Sequence, residues 1–185
     1  MSNADTPKIL RLRKKHAPGG HAPPDAADGE RLVRAQSLRQ AVMAGLIAVV
    51  VFSTLWLLVS DLFNRVLPWL SLLLGILVGM AVRRAGQGFD GRFPLLAGGL
   101  TIVGALIGNV IIAAATTANE FDTGIFTILR NVTSYTWPVF FEEVMTSADI
   151  VYAFMGAGLA AFFSTRRLTR REYQAVRIYK AQDNG

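Results

Sequence analysis

The sequence predicts an all-α integral membrane protein, a four-helix bundle with both termini cytoplasmic and a short amphipathic helix in the outer loop between spans three and four. Two observations lead to this class. Of the 185 residues, 52% are apolar, although the chain carries a formal net charge of +6. The apolar residues and the charged residues also occupy separate segments, which is typical of a chain that crosses a bilayer several times.

Four apolar segments are long enough to cross a bilayer, which takes roughly 20 residues and about 17 at the least. The predicted spans are residues 41–60, 66–82, 94–118 and 149–164. The second and third carry Pro68 and Pro94 in their first turns, where the missing amide hydrogen costs little. The fourth is the shortest, and we expect it to borrow a turn from its flanks.

The basic residues predict the orientation of the spans, because Lys and Arg near span ends stay on the cytoplasmic side. With four crossings, both tails and the loop between spans two and three share one side. Of the 19 Lys and Arg residues, all but Arg65 and Arg130 fall on that side. Both termini are therefore predicted to be cytoplasmic. The predicted topology and lipid anchors are Arg83, Arg84, Arg92, Arg166 and Arg167.

Apolar residues recur with helical spacing in the outer connection between spans three and four. The positions i, i+4, i+7, i+8 and i+11 are Phe121, Ile125, Ile128, Leu129 and Val132. This spacing predicts a short amphipathic helix on the outer surface or capping the bundle. We expect it to end near Trp137, because the residue before a proline disfavours helix.

The two tails have different predicted structures. Residues 1–30 contain "HAPGGHAPPDAADGE", a composition that cannot bury a core and predicts disorder. His16 and His21 lie there, and two histidines without a third ligand make a weak metal site. The transmembrane domain, 31–164, begins with a helical extension of span one. The basic extension 165–185 continues span four as helix, with one side formed by Glu172, Ala175, Val176 and Tyr179.

Residues 86–91, the Gly-rich turn, spell G-x-G-x-x-G. In dinucleotide-binding proteins this motif follows a strand, opens a helix, and precedes by about 20 residues an acid that binds the ribose. Here apolar spans flank the motif, and no Asp or Glu occurs between Gly91 and Glu120. We therefore predict a cytoplasmic turn whose glycines accept positive φ, and no bound cofactor.

Small residues at four-residue spacing occur in three spans, which permits close helix approach in lipid. The pairs are Gly75 with Gly79, Gly104 with Gly108, Gly156 with Ala160, and Ala157 with Ala161. We predict that these residues pack helices within one bundle. An interface between copies of the chain is the alternative.

Asn109 is the most deeply placed strongly polar residue. We predict that it makes a hydrogen bond between helices, and contact with a transported substrate is the alternative. The span cores contain no Asp, Glu, His, Lys or Arg, although proton-coupled transporters place an ionisable group there. The chain also contains no cysteine. We accordingly predict no catalytic residue and no metal site.

Two stretches carry a resemblance to known proteins: "LGILVGMAVRRAGQGFDGRFPLLAGGLTIVGALIGN" and "DIVYAFMGAGLAAFFSTRRLTRREY". Over about residues 66–173, the chain resembles a loose group of small, uncharacterised bacterial four-span inner-membrane proteins. That group often has more tyrosine and an acid in the last span, where this chain has "FMGAGLAAFF". The resemblance implies a membrane architecture and a bacterial inner-membrane location, and it transfers no catalytic residue.

These patterns predict a non-catalytic integral membrane protein that acts as a subunit, anchor or assembly partner in a membrane complex. The predicted partners are anionic lipid head groups on the cytoplasmic side and other membrane subunits or a second copy of the chain. No nucleic-acid partner is expected. The alternative is a small oligomeric channel or transporter lined by Thr101, Asn109 and Thr116, and an enzyme ranks third.

Overall fold

The computed structural model describes residues 24–63, 67–131 and 136–183, and every regular element in these ranges is an α-helix. The helices are α1 (Ala26–Arg34), α2 (Leu38–Phe63), α3 (Leu70–Gly86), α4 (Arg92–Glu120), α5 (Ile125–Asn131), α6 (Trp137–Val144), α7 (Ser147–Ser164) and α8 (Arg170–Asp183). The all-α prediction is therefore confirmed for the described residues.

Within the described ranges, three helices are long and apolar enough to cross a membrane: α2, α4 and α7. They contain the predicted spans 41–60, 94–118 and 149–164. The remaining predicted span, 66–82, falls largely on α3, which has 17 residues and is about 26 Å long at 1.5 Å per residue. The large apolar side chains on the outer faces of α2 and α7 are exposed, as on helices that face lipid.

Contacts between α2 and α4 show that these helices run in the same direction. Gly45 of α2 lies beside the side chain of Leu100 of α4. Further along both helices, the side-chain amide of Asn119 donates to the Asp61 carboxylate at 3.4 Å. The two helices therefore begin at the same end of the bundle.

The helices α3 and α7 also form a parallel pair, and they run opposite to the first pair. Gly75 of α3 lies against Gly156 of α7, and one turn later Gly79 lies against Ala160. At the other face of α3, the last residue, Gly86, approaches Ala41 near the start of α2. Thus α3 ends where α2 begins, which is the arrangement of an up-and-down bundle.

Two faces of helix α3 are covered by neighbouring helices, whereas Leu73 and Leu77 are exposed. Leu74, Val78 and Val82 are fully buried, and Leu74 and Val82 point towards Gly104 of α4 and Gly45 of α2. The face with Gly75 and Gly79 meets α7 instead. Two adjacent rows of α3 residues at i, i+4 spacing thus pack against its neighbours, the leucine and valine row against α2 and α4 and the glycine row against α7.

The chain ends differ from the predicted helical extensions. Helix α1 begins at Ala26, inside the range predicted to be disordered, and it stops at Arg34 before α2 starts. The rest of that predicted tail, with His16 and His21, lies mostly outside the described residues. Similarly, α7 ends at Ser164 and a separate helix, α8, starts at Arg170. We call α1 and α8 the terminal pair, because they pack against each other.

The connection between α4 and α7 contains two short helices in its described part, where one amphipathic helix was predicted. Phe121 caps the end of α4, and Val132 lies outside the described residues. Helix α6 begins at Trp137, with Pro138 in its first turn, where we expected a helix to end. The difference arises because a proline is tolerated in a first turn and so can follow a helix start as well as a helix end.

Candidate functional site

The Gly-rich turn is hydrogen-bonded to both linkers that lead to the helices of the terminal pair. Three hydrogen bonds join the turn to two linkers, the one between α1 and α2 and the one between α7 and α8. Two of the bonds connect backbone atoms, and in the third a linker side chain accepts from the backbone of the turn. They join Ser37 N to Gly86 O (3.0 Å), Arg166 N to Gly88 O (2.9 Å) and Phe89 N to Gln36 Oε1 (3.3 Å). The turn and both helices of the terminal pair therefore lie at the same end of the bundle.

The glycines of the turn provide room and do not supply the left-handed backbone that we predicted for them. Gln87 has the positive φ of 47° instead. A Cβ atom on Gly86 would lie 2.6 Å from the ring of Phe93 and 2.7 Å from the Cβ of Ala41, and one on Gly88 would overlap the same ring. The buried ring of Phe93 thus requires glycine at positions 86 and 88, whereas a Cβ atom on Gly91 would meet nothing within 4 Å. Gln87 takes the left-handed conformation.

The terminal pair crosses at Gly29. A Cβ atom there would overlap the backbone carbonyl of Ala175, so only glycine permits this approach. Ala175 and Val176 of α8 are buried, as the face predicted for this extension implies. The Arg171 guanidinium lies 3.9 Å from the Asp28 carboxylate across the pair.

Helix α8 begins with a capping box. The backbone N–H of Thr169 donates to the Glu172 carboxylate at 2.8 Å, and the N–H of Glu172 donates to the Thr169 hydroxyl at 3.3 Å. The Arg166 guanidinium donates to the same carboxylate at 2.8 Å. The Thr169 N–H holds the pKa of Glu172 below its ordinary value, and the Thr169 hydroxyl and Arg166 add to this against the opposing effect of burial.

A cavity of about 520 Å³, here called the cationic cavity, lies between α8 and the Gly-rich turn. Its charged lining residues are Arg166, Arg177, Lys180 and Asp90. Its apolar and aromatic walls are formed by Phe89, Leu168, Tyr173 and Val176. Three cations against one carboxylate give the cavity an excess of positive charge.

A second cleft of about 450 Å³, the balanced cleft, lies on the other side of α8, facing α1. Two cations and two carboxylates line it: Arg31, Arg171, Asp28 and Glu172. The two spaces therefore have similar size and share one helix, but they differ in net charge. Only the cationic cavity favours an anion.

The predicted packing residues of α3 and α7 form the tightest helix contact. A Cβ atom on Gly156 would lie 2.5 Å from the carbonyl oxygen of Ser71, and one on Gly79 would lie 2.6 Å from that of Ala160. Gly75 would clash with the Gly156 carbonyl in the same way. These small residues are therefore in contact within one chain.

The small residues of α4 contact α2 through side chains. A Cβ atom on Gly104 would lie 2.9 Å from Val49, and one on Gly108 would lie 3.4 Å from the ring of Trp56. Both glycines are buried. This contact is looser than the one between α3 and α7, because side chains and not backbone atoms meet the glycines.

Asn109 is buried in the bundle, with 4% of its surface exposed, but its Oδ1 has no hydrogen-bond partner among the described residues. The structure shows no bond between helices at this oxygen among the described residues, and the polar contact of Asn109 stays a prediction. Thr101 and Thr116 donate to carbonyl oxygens of their own helix. Trp56 Nε1 and Ser60 Oγ are also buried without a described partner, and no sequence pattern singles them out.

The predicted anchors cluster at the end of the bundle that carries the terminal pair. Two lie in the last turn of α3, one begins α4 and two follow α7: Arg83, Arg84, Arg92, Arg166 and Arg167. Arg166 is engaged with Glu172, and the Arg167 guanidinium lies 5.6 Å from the ring centre of Phe162. The other three are exposed.

The described residues contain no group of three or more His, Cys, Asp or Glu side chains that could hold a metal ion. Comparison with protein-family models, curated proteins and solved structures found no match to this chain. The interpretation of its function therefore depends on its own geometry.

Proposed function

We propose that this chain is a non-catalytic, four-span protein of a bacterial inner membrane that acts as a subunit, anchor or assembly partner in a membrane complex. The observation that carries the proposal is the terminal pair, held on the Gly-rich turn by hydrogen bonds from both linkers. It forms an ordered, polar surface at one end of an apolar bundle. Such a surface suits a partner outside the membrane.

The four-span count is supported by the position of α3. This helix lies beside and parallel to α7, and two of its faces pack against helices long enough to cross a bilayer. Its length of about 26 Å approaches the roughly 30 Å of the hydrocarbon core. A helix in this position crosses whenever its neighbours do.

The cytoplasmic orientation is supported by the charges. The linkers, the Gly-rich turn and α8 all lie at one end, and among the described residues every Lys and Arg except Arg130 lies at that end. The positive-inside rule then makes this end cytoplasmic.

The contacts of the small residues favour the terminal pair as the partner surface. The glycines of α3, α4 and α7 that were candidates for an interface meet other helices of the same chain. They are therefore occupied in packing the bundle. The terminal pair takes no part in this packing, and it is the surface that we propose for a partner.

The orientation is tested by reporter fusions. A reporter that is active only outside the cytoplasm is inserted after Thr136, and a second copy is inserted after Gly88. We expect activity at the first site alone, because the two sites lie at opposite ends of the bundle. Activity at Gly88 without activity at Thr136 would refute the proposed orientation of the spans.

The function is tested by copurification in mild detergent with a variant that separates the terminal pair. Gly29→Leu cannot keep the approach to Ala175, whereas Ala27→Leu changes an exposed residue of the same helix. We expect a partner of fixed stoichiometry that is lost with Gly29→Leu and retained with Ala27→Leu. A partner retained equally by both variants would contradict the proposal.

A small channel or transporter is the second candidate, and the unpartnered Asn109 amide oxygen favours it. A buried acceptor without a partner is costly in a membrane and is found at substrate pathways. Saturable flux through the reconstituted protein that is lost with Asn109→Leu would establish this candidate over the first. Reconstituted protein that passes no ion or small solute would exclude it.

A further inference from the structure

We infer that the cationic cavity binds the phosphate of an anionic lipid head group from the cytoplasmic leaflet. The inference deepens the proposed function and rests on its membrane placement. The sequence predicts only that arginines at this end contact anionic lipid head groups. The geometry points to one site with named walls.

The first argument is that the cations of the cavity keep free hydrogen-bond donors, because one has no described ion pair and the other two have pairs that leave donors unused. Among the described residues, no ion pair involves Arg177. Lys180 lies 3.7 Å from Asp90, a loose pair. Arg166 uses one nitrogen for Glu172, and a guanidinium has five N–H donors in all. These groups can donate to the oxygens of a phosphate without breaking the contacts that hold α8.

The second argument concerns the level of the cavity in the membrane. Two of its lining residues are close in sequence to helix ends. Arg166 lies two residues beyond the end of α7, and Asp90 lies two residues before the start of α4. Head groups occupy the zone between a hydrocarbon core of roughly 30 Å and a total thickness of about 40–45 Å. The helices that cross the core thus end where phosphates lie, and the cavity is at that level.

The third argument concerns the apolar walls. Leu168 and Val176 line the same cavity as the cations, together with the rings of Phe89 and Tyr173. A small soluble anion would gain nothing from these side chains. The glycerol and upper acyl segments of a phospholipid would cover them and remove apolar surface from water. The mixed lining therefore fits an amphiphile better than free phosphate.

The balanced cleft provides a matched control within the same molecule. It is bordered by α8 as well, and it contains Arg31, an exposed arginine for which the described residues show no ion pair. Arg31→Gln and Arg177→Gln remove the same charge from the same end of the protein. If lipid binding depended only on net charge, the two variants would lose the same lipid affinity.

The experiment measures retained lipid on the full-length protein. Protein in neutral detergent is titrated with phosphatidylglycerol or phosphatidylcholine, and bound lipid is counted by native mass spectrometry. We expect one preferred phosphatidylglycerol in the wild type. Arg177→Gln should weaken it about fivefold, as loss of one cation near a membrane surface implies, and Arg31→Gln should leave it unchanged.

A second arm identifies the source of the phosphate. Inorganic phosphate is added as a competitor. Failure to displace the lipid supports a head-group site, and displacement at similar concentrations supports a phosphate site that a soluble anion fills. Equal weakening by both variants, or no preference for phosphatidylglycerol over phosphatidylcholine, would overturn the inference. The reporter fusions measure orientation without reference to lipid, so failure of this site and failure of the proposed topology are distinguishable.

Discussion

At Gly156 the backbone of α7 touches the backbone of α3. A Cβ atom there would lie 2.5 Å from the carbonyl oxygen of Ser71, whereas one on Gly158, in the same helix, would meet nothing within 4 Å. Two glycines that are two residues apart thus differ in the space available to a side chain. The first permits a close helix approach, and the second faces open space.

Gly156→Ala is predicted to destabilise the bundle. The methyl group would force two backbones apart, and overpacking of this kind costs about 1–3 kcal/mol. The free energy of unfolding in mixed micelles, followed by the fluorescence of the buried Trp56, measures the loss.

Gly158→Ala is the control for this substitution, since it adds the same methyl group to the same helix. We expect a change within about 0.5 kcal/mol. Equal destabilisation by both substitutions would mean that helix α7 is sensitive to any alanine and not to the contact with α3.

The sequence predicted that these small residues pack helices, because their spacing places them on one face. It could not predict which glycines are closed and which are open. That distinction depends on how far the neighbouring helix is rotated, and Gly158 and Gly156 look alike in the chain. The same limit applies to Gln87, which takes the left-handed conformation beside two glycines that were the expected candidates.

At the scale of the element, two helices begin with a threonine followed three residues later by an acid. Thr146 and Asp149 start α7, and Thr169 and Glu172 start α8. Each pair forms a reciprocal capping box, which satisfies amide groups that a helix start leaves free. The box at Thr169 explains why α8 is a separate helix and not an extension of α7.

The start of α8 is predicted to depend on pH. The pKa of Glu172 is held below its ordinary value of 4.5 by the Thr169 N–H above all, so the folded state favours the carboxylate. The resulting stabilisation is complete above the ordinary pKa and is lost as pH falls through the lowered pKa. An NMR titration of the Thr169 amide resonance should show a midpoint below 4.5.

Two variants check this assignment. Glu172→Gln should abolish the titration and leave the rest of the spectrum in place. Arg166→Gln should raise the midpoint, because one stabilising charge is removed. A wild-type midpoint at or above 4.5 would contradict the capping geometry.

These capping signals could be found in the sequence, since T-x-x-E before a helical pattern is a known start signal. Helix α1 could not. Its composition is rich in alanine and charge next to glycine and proline, which predicts disorder for an isolated segment. It is ordered here through contact with α8, a segment far away in the chain.

At the scale of the whole molecule, two parallel helix pairs run in opposite directions. The linkers to α1 and α8 both contact the Gly-rich turn. A Cβ atom on Gly98 of α4 would lie 3.9 Å from the Cβ of Ala157 of α7. Disulfides join Cβ atoms about 3.5–4.5 Å apart. The chain contains no cysteine, so an introduced pair reports on this packing without interference.

Gly98→Cys combined with Ala157→Cys is predicted to form a disulfide within one chain on mild oxidation. The intact mass of the monomer should fall by the mass of two hydrogens. Gly99→Cys combined with Ala157→Cys should stay reduced, because Gly99 has no neighbour within 4 Å of its Cβ position. Closure of the Gly99 pair alone would show that α4 is rotated relative to the structure.

The distribution of basic residues predicted that both tails and the Gly-rich turn share one end, and the described geometry brings these segments together there. The pairing of α1 with α8 could not be predicted, because one sequence contains no record of which distant segments meet. Helix α8 supplies four of the eight residues that line the cationic cavity, so the cavity could not be predicted either.

The position of the terminal pair also determines the order in which the molecule is completed. Ribosomes make the chain from its amino end, so α1 exists before any apolar helix and long before α8. Until α8 emerges, the face of α1 around Gly29 has no cover. The contact between α1 and α8 can therefore form only after the four long helices between them have been synthesised.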